Sequence, residues 1–208
     1  MEQSYLNMFL QGGFIIYILL IISIISLAII IERLVFIYKQ NIKYDDFFSE
    51  LKSAFKSKDD RIKQKVLSND SLSIGKYITK LKPDPSSNPS PNKQIIEDAL
   101  FDEDAAQKKR MHALIFIVQL APLLGILGTV LGLAEAFLSI GDLGGTEKFQ
   151  MLSRGIGKAL STTIAGLVIA AYTMSGHYFI KYRTRKSILA LSKHIEDYVQ
   201  VISTKNEN

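Results

Sequence analysis

Charge-free apolar runs alternate with charge-dense segments along this chain, and the runs predict its principal elements. Residues 14–31, FIIYILLIISIISLAIII, are eighteen positions without Lys, Arg, Asp or Glu. At a rise of ~1.5 Å per residue, a helix of that length nearly matches a hydrocarbon core of about 30 Å. Isoleucine-rich sequence favours a strand in water, but a strand exposed to lipid leaves its backbone groups unpaired, so the run reads as a helix. Residues 111–134 give twenty-four uncharged positions and residues 159–180 twenty-two, each long enough to cross a bilayer with some tilt. A cleaved signal peptide is the rival reading of the first run. It fits poorly, because no basic stretch precedes the run and Ile30-Ile31-Glu32 is not a small-residue cleavage site.

The segments between the spans are polar. Residues 39–110 carry fifteen Lys or Arg and twelve Asp or Glu. Within them, residues 45–65 place Phe47, Phe48, Leu51, Phe55 and Ile62 at roughly helical spacing and predict an amphipathic helix. Residues 82–92, KPDPSSNPSPN, hold four of the five prolines and predict a linker. Residues 93–110 oppose Ile95, Ile96, Ala99 and Leu100 to an acidic face and are expected to run without a breaker into the second span. In the tail, Ile188, Leu191, Ile195, Tyr198 and Ile202 recur at steps of three and four, the seam of a helix that packs on other helices. Such long helices have few neighbours within one chain, which predicts an oligomer with a helical collar.

Charge then orients the spans. Lys39 and Lys43, Lys108 to Arg110, and Lys181, Arg183, Arg185 and Lys186 all fall on one side in a three-span arrangement, while residues 1–13 lack Lys and Arg. The expected layout is an extracytoplasmic segment 1–13, transmembrane helix 14–38, cytoplasmic helical region 39–110, transmembrane helix 111–140, periplasmic connector 141–158, transmembrane helix 159–180 and cytoplasmic helix 181–208. Tyr5, Tyr17, Tyr38, Tyr178 and Tyr182 are placed as interfacial anchors in a chain without Trp. The net charge of +5 does not indicate nucleic acid, since no basic run is interleaved with stacking aromatics. With no Cys and three dispersed His, no thiol chemistry, metal site or cofactor is expected. Gly157-Lys158 lacks the glycine five positions earlier that a P-loop needs, Leu152 standing there, and no other enzyme motif is present.

The first span is bulky all round, as expected of a lipid-facing helix, whereas the other two carry small and hydroxyl residues in ordered rows. Span two has Gly125, Thr129, Gly132 and Ala136, with Gly128 and Gly132 forming Gly-x-x-x-Gly; span three has Ala159, Thr163, Gly166, Ala170 and Thr173. Such rows serve close helix packing, with hydroxyls bonded to their own helix, or a narrow, partly wet ion path in which Thr holds water or relays a proton. Glu135, near the outer end of span two, either lines a vestibule or is an interfacial carboxylate in water. Lys158 opens span three as an interfacial, snorkelling lysine, with Thr162 one turn above it.

Ala121-Pro122-Leu123-Leu124-Gly125-Ile126-Leu127-Gly128-Thr129-Val130, together with Gly155-Ile156-x-x-Ala159-Leu160-x-x-Thr163-x-x-Gly166-Leu167 and the early Ile31-Glu32-Arg33-Leu34, resembles the MotA/TolQ/ExbB proton-channel family, in its TolQ and ExbB branch. The likeness covers nearly all of the chain. It implies an all-α polytopic membrane protein of three transmembrane helices, two of them extended into the cytoplasm, assembling as a homo-oligomeric, pentameric helical pore around single-span partners of the ExbD or TolR type. It further implies a bacterial inner-membrane location and a non-enzymatic function, the conversion of proton flow into movement of that partner, with a TonB-like or other envelope protein downstream. Matched residue by residue, the hydroxyls implied for the ion path are Thr129 and Thr163, joined by Thr162 and Glu135 as candidates, and the packing or pore face is Gly125, Gly128, Gly132, Ala159, Gly166 and Ala170. Many relatives have Glu where this chain has Lys158, and Ala-Ile-Pro-Ala where it has Ala170-Ala171-Tyr172-Thr173. The first span pair of the four-span MotA layout is missing. The alternatives are a non-conducting oligomeric membrane scaffold and, weakened by the lack of inverted repeats, a secondary transporter.

Overall fold

The computed structural model describes residues 13–56, 74–81, 90–139 and 145–206, with side chains left out at 54–56, 90–91 and 201–206. Five helices occur among them: α1 (Phe14–Lys56), the single turn α2 (Gly75–Ile78), α3 (Ser90–Lys108), α4 (Met111–Leu138) and α5 (Gly145–Asn206). Three stretches, Phe14–Ser53, Asn92–Leu138 and Gly145–Gln200, are long and apolar enough to cross a membrane. Tyr5, most of the proline-rich linker and residues 57–65 of the expected amphipathic helix lie outside the described residues, as does the side chain of Ile202.

The chain forms two units, residues 1–32 with 110–179 and residues 33–109 with 180–208. In the first, Ile15, Ile16 and Leu19 of α1 pack with Ile117 and Ala121 of α4 and Ala165 and Ile169 of α5. Ile21 and Ile24 of α1, Leu127 and Val130 of α4, and Leu167 and Val168 of α5 stay exposed, an apolar surface that requires acyl chains or other subunits to cover it. In the second unit, Tyr44, Phe47, Phe48 and Leu51 of α1 enclose a core with Ile74, Ile78 and Leu81 and with Leu191, Ile195 and Tyr198 of α5. Leu191, Ile195 and Tyr198 of the expected tail seam thus meet partners within their own chain. Burial pushes the Tyr198 phenol up to about 12, so it stays protonated near neutral pH.

Two expectations need correction. The first span is not lipid-facing all round: Leu19 is 1% exposed and Ser26 0%. Its row Ile16, Leu19, Ser23, Ser26 and Ile30 follows the three-and-four spacing of a packed helix face, which an isoleucine-rich composition disguised. The expected unbroken helix into span two is broken, since α3 ends at Lys108 and Arg110 adopts a left-handed conformation with φ 68°. A bulky residue there costs roughly 1–2 kcal/mol; the side chain of Arg110 is held in an ion pair with Glu32. Three successive cations, Lys108 to Arg110, were the available signal, because cations favour the last turn of a helix. Residues 145–158, within the expected connector, are helical and continue into the rest of α5, which has 62 residues.

Candidate functional site

The small residues of spans two and three meet in one seam. On α4 the buried positions Ala121, Gly125, Gly128, Gly132 and Ala136 step by four, three, four and four, and on α5 Ala159, Thr162, Ala165 and Ile169 are buried with Gly166. Lacking side chains, the glycines let backbone approach backbone. A Cβ added at Gly125 would lie 3.0 Å from the Thr162 carbonyl oxygen and 3.0 Å from the Thr163 Cα, and one at Gly132 would lie 3.0 Å from the Ala159 Cβ. Ala170 stands at the half-buried edge of this face.

Two hydroxyls converge on one carbonyl in the seam. The Thr162 Oγ1 and the Thr163 Oγ1 each lie 3.1 Å from the carbonyl oxygen of Gly125. Thr162 is wholly buried, and its hydroxyl is also 2.7 Å from the Ala159 carbonyl of its own helix, so one proton is shared between two acceptors. Thr163 is half-buried. Thr129 is also half-buried, outside the glycine row, and donates to the Ile126 carbonyl at 2.6 Å. The row drawn through Gly125, Thr129 and Gly132 is therefore corrected at one position. Gly128 takes the buried place, because the inner space at that height holds the Thr162 side chain and admits no second one: a Cβ at Gly128 would lie 2.5 Å from the Thr162 Oγ1.

Glu135 and Lys158, read separately as a vestibule or interfacial acid and a snorkelling lysine, form a pair. Lys158 Nζ donates to Glu135 Oε2 at 3.0 Å, with the lysine side chain 31% exposed and the glutamate 67%. The lysine also reaches over Gly13, where a Cβ would lie 3.5 Å from its Cε. At that exposure the pair contributes little to stability, about 1 kcal/mol or less. Its effect is to neutralise two charges at one end of the α4–α5 seam.

Sequence reasoning missed the polar cluster of α1 and α5. The Tyr172 hydroxyl lies 2.9 Å from the Ser23 carbonyl oxygen, 2.9 Å from the Ser23 Oγ and 2.7 Å from the Ser26 Oγ. Ser23 and Ser26 are an i, i+3 pair on an apolar helix, and Tyr172 is a polar group inside another. Each has to find a partner in hydrocarbon, which was the usable signal. Tyr172→Phe removes the hydroxyl shared by all three bonds and is expected to cost about 1 kcal/mol, lowering the melting temperature in detergent by about 2–4 °C. Tyr178→Phe, at a ring 56% exposed, should leave it unchanged; equal melting of the two variants would dismiss the cluster as a clamp.

No three His, Asp or Glu side chains converge among the described residues as a metal site would require. What the seam offers is a close-packed helix pair with hydroxyls at its edge, inside a layer where carboxylates are costly. The model of the MotA/TolQ/ExbB proton channel family matches residues 55–193. The chain belongs to this family. Among relatives, the biopolymer transport protein ExbB-like 1 of Synechocystis sp. is 34% identical over 175 residues, covering 81% of this chain and 67% of the relative. The exbB1 protein of Vibrio cholerae is 35% identical over 114 residues, half of each chain. The Tol-Pal system protein TolQ of Haemophilus influenzae is 25% identical over 221 residues, covering 97% of this chain and 94% of the relative. The chain is thus an ExbB/TolQ-like membrane protein of the proton-channel family, and its three apolar helices are its transmembrane helices.

Proposed function

We propose that this chain is the channel subunit of a proton-motive-force-driven motor of the bacterial inner membrane. It assembles as a homopentamer around an ExbD/TolR-like single-span partner and energises outer-membrane transport or envelope maintenance, with a TonB-like or other envelope protein as the driven element. The N-terminus is periplasmic and the C-terminus cytoplasmic, with transmembrane segments at 14–38, 111–140 and 159–180, the connector 141–158 outside, and residues 39–110 and 181–208 inside. The charge distribution supports that orientation.

The observation that carries the reading is the position of the Thr129 and Thr163 hydroxyls, half-buried at the edge of the α4–α5 seam and satisfied only by helix carbonyls. A hydroxyl so placed can exchange its carbonyl for a water or for a carboxyl group brought by a partner, without the cost of a charge in hydrocarbon. Thr162 stands behind them, holding the Gly125 carbonyl that Thr163 shares, and Glu135 with Lys158 marks the outer mouth. Each proton that crosses 100 mV releases about 2.3 kcal/mol, so a mechanical step requiring more couples several protons. The non-conducting scaffold remains as a second reading, favoured by one observation: the glycine row is consumed in packing α4 on α5 of the same chain.

Proton uptake by proteoliposomes holding the chain with its co-purified partner, followed by an internal pH dye, separates the two readings. Thr163→Val keeps the volume and removes the hydroxyl, and it is expected to slow partner-dependent uptake about tenfold, ~1.4 kcal/mol on the barrier, with assembly intact. Uptake within about twofold of the parent protein in both Thr163→Val and Thr129→Val would leave the scaffold standing.

A further inference from the structure

A cavity of about 190 Å³ lies between α1 and α5 in the unit of residues 33–109 and 180–208, with Asn41, Arg183, Lys186 and Ser187 in its lining. At ~30 Å³ per liquid water it has space for about six waters. Its chemistry is one-sided. The buried Gln107 donates from Nε2 to the Ser187 Oγ at 3.1 Å, and the Ser187 hydroxyl in turn donates to the Asn41 Oδ1 at 2.5 Å. That chain of donors fixes the amide of Asn41 with its oxygen occupied, so Asn41 presents the N–H groups of Nδ2. Arg183 and Lys186 add a guanidinium and an ammonium, which have no acceptor capacity, and Lys186 has no ion pair among the described residues.

One carboxylate, Asp45, and one phenol, Tyr44, are the lining groups that could oppose an anion. The Asp45 carboxylate is 3.2 Å from the His194 Nε2, and the His194 ring is stacked on Phe48 with centroids 5.2 Å apart, which holds it in place. The Tyr44 hydroxyl is bonded to Glu103 and accepts from the Gln40 Nε2, and burial, followed by the bond to Glu103, raises its pKa well above that of an ordinary phenol, so it stays neutral. Two cations and an amide donor therefore outweigh the single carboxylate in the lining of this small cavity.

We infer that this cavity binds a phosphate-bearing anion, held by the Asn41 amide, Arg183 and Lys186. Guanidinium and ammonium groups beside an amide donor match the tetrahedral oxygens of phosphate, and charge-assisted bonds of this kind are about twice as strong as neutral ones. At ~1.5 Å per residue, Arg183 and Lys186 stand about 5 and 9 Å beyond Ile180, the last uncharged residue of the third span. On the span boundaries proposed above, that is the depth of the headgroup layer, where basic pockets between helices bind anionic lipid. The phosphate can therefore belong to a phospholipid headgroup or to a soluble phosphate compound that enters from the aqueous side. Binding is independent of conduction, so the proposal stands or falls apart from the channel reading.

The test uses the full chain in neutral detergent. Native mass spectrometry during titration with phosphatidylglycerol, with phosphatidylcholine as the comparison, is set beside calorimetric titration with inorganic phosphate and glycerol 3-phosphate. Arg183→Glu combined with Lys186→Glu, and separately Asn41→Asp, are expected to weaken binding of the anion by ten-fold or more. Lys181→Glu combined with Arg185→Glu makes the same charge change on the same helix, outside the cavity lining, and is expected to weaken it less than about two-fold. Selective binding of phosphatidylglycerol with no response to the soluble phosphates assigns the site to a lipid headgroup. Binding of the soluble phosphates, abolished by the same substitutions, assigns it to a free phosphate compound. The inference is overturned if neither class binds, or if the two charge-reversal pairs weaken binding equally, since that would reduce the site to diffuse attraction by a basic helix.

Discussion

Gly166→Ala is expected to lower the melting temperature of the detergent-solubilised protein by about 6–12 °C, the result of a loss of about 3 kcal/mol. The added Cβ would stand 2.5 Å from the Ala121 carbonyl oxygen, 3.2 Å from its carbon and 3.2 Å from the Gly125 Cα. All three atoms are backbone, so no rotamer change can relieve the overlap and α4 must move away from α5. That movement would also separate the Thr163 hydroxyl from the Gly125 carbonyl, 3.1 Å apart in the native seam. The substitution thus acts on stability and on the candidate ion path together, and proton uptake should fall with the melting temperature. Gly157→Ala supplies the contrast, because nothing lies within 4 Å of its added Cβ. Alanine there should stabilise the helix, by up to ~1 kcal/mol, through its better helix propensity. Should the Gly166 variant melt within a degree of the parent protein, the close seam is not how these helices pack.

Leu191→Ala is expected to remove about 2–5 kcal/mol, the range for deleting a fully buried leucine and leaving a cavity. Leu191 is 0% exposed in the core built with Tyr44, Phe47, Phe48 and Leu51 of α1. The expected result is a loss of protease resistance in the segments 33–56 and 180–200, and a melting transition lowered by roughly the same margin as in Gly166→Ala. Leu189→Ala, at a side chain 62% exposed and two residues away, should change stability by no more than about 0.5 kcal/mol. If the two variants lose protection equally, the tail packs through a different face and the core is wrongly placed.

Parts of this molecule were legible in the residue order and parts were not. The three spans followed from uncharged runs of eighteen, twenty-four and twenty-two residues, because a bilayer leaves few structures open to an apolar run of that length. The tail seam was legible for a related reason, since Leu191, Ile195 and Tyr198 recur at helical spacing and are buried. The left-handed residue Arg110 was missed despite three consecutive cations, as propensity alone does not forbid a helix from continuing through Lys and Arg. The small rows were visible as rows, but their register was not. Thr129 and Gly128 are adjacent, and only the side chain of Thr162 across the seam decides which of them can turn inward.

By itself the sequence determined the membrane class, the number of spans and the family, all of which depend on composition and spacing within one segment at a time. The tertiary structure alone decided which small residues touch, that Glu135 and Lys158 are a pair, that Tyr172 is bonded to Ser23 and Ser26, and that Asn41 offers donors to a cavity. Each of these joins residues 23 to 149 positions apart in the chain. Helical periodicity says which side of its own helix a residue occupies. The rotation and height of the facing helix, which set the partner, are a property of packing.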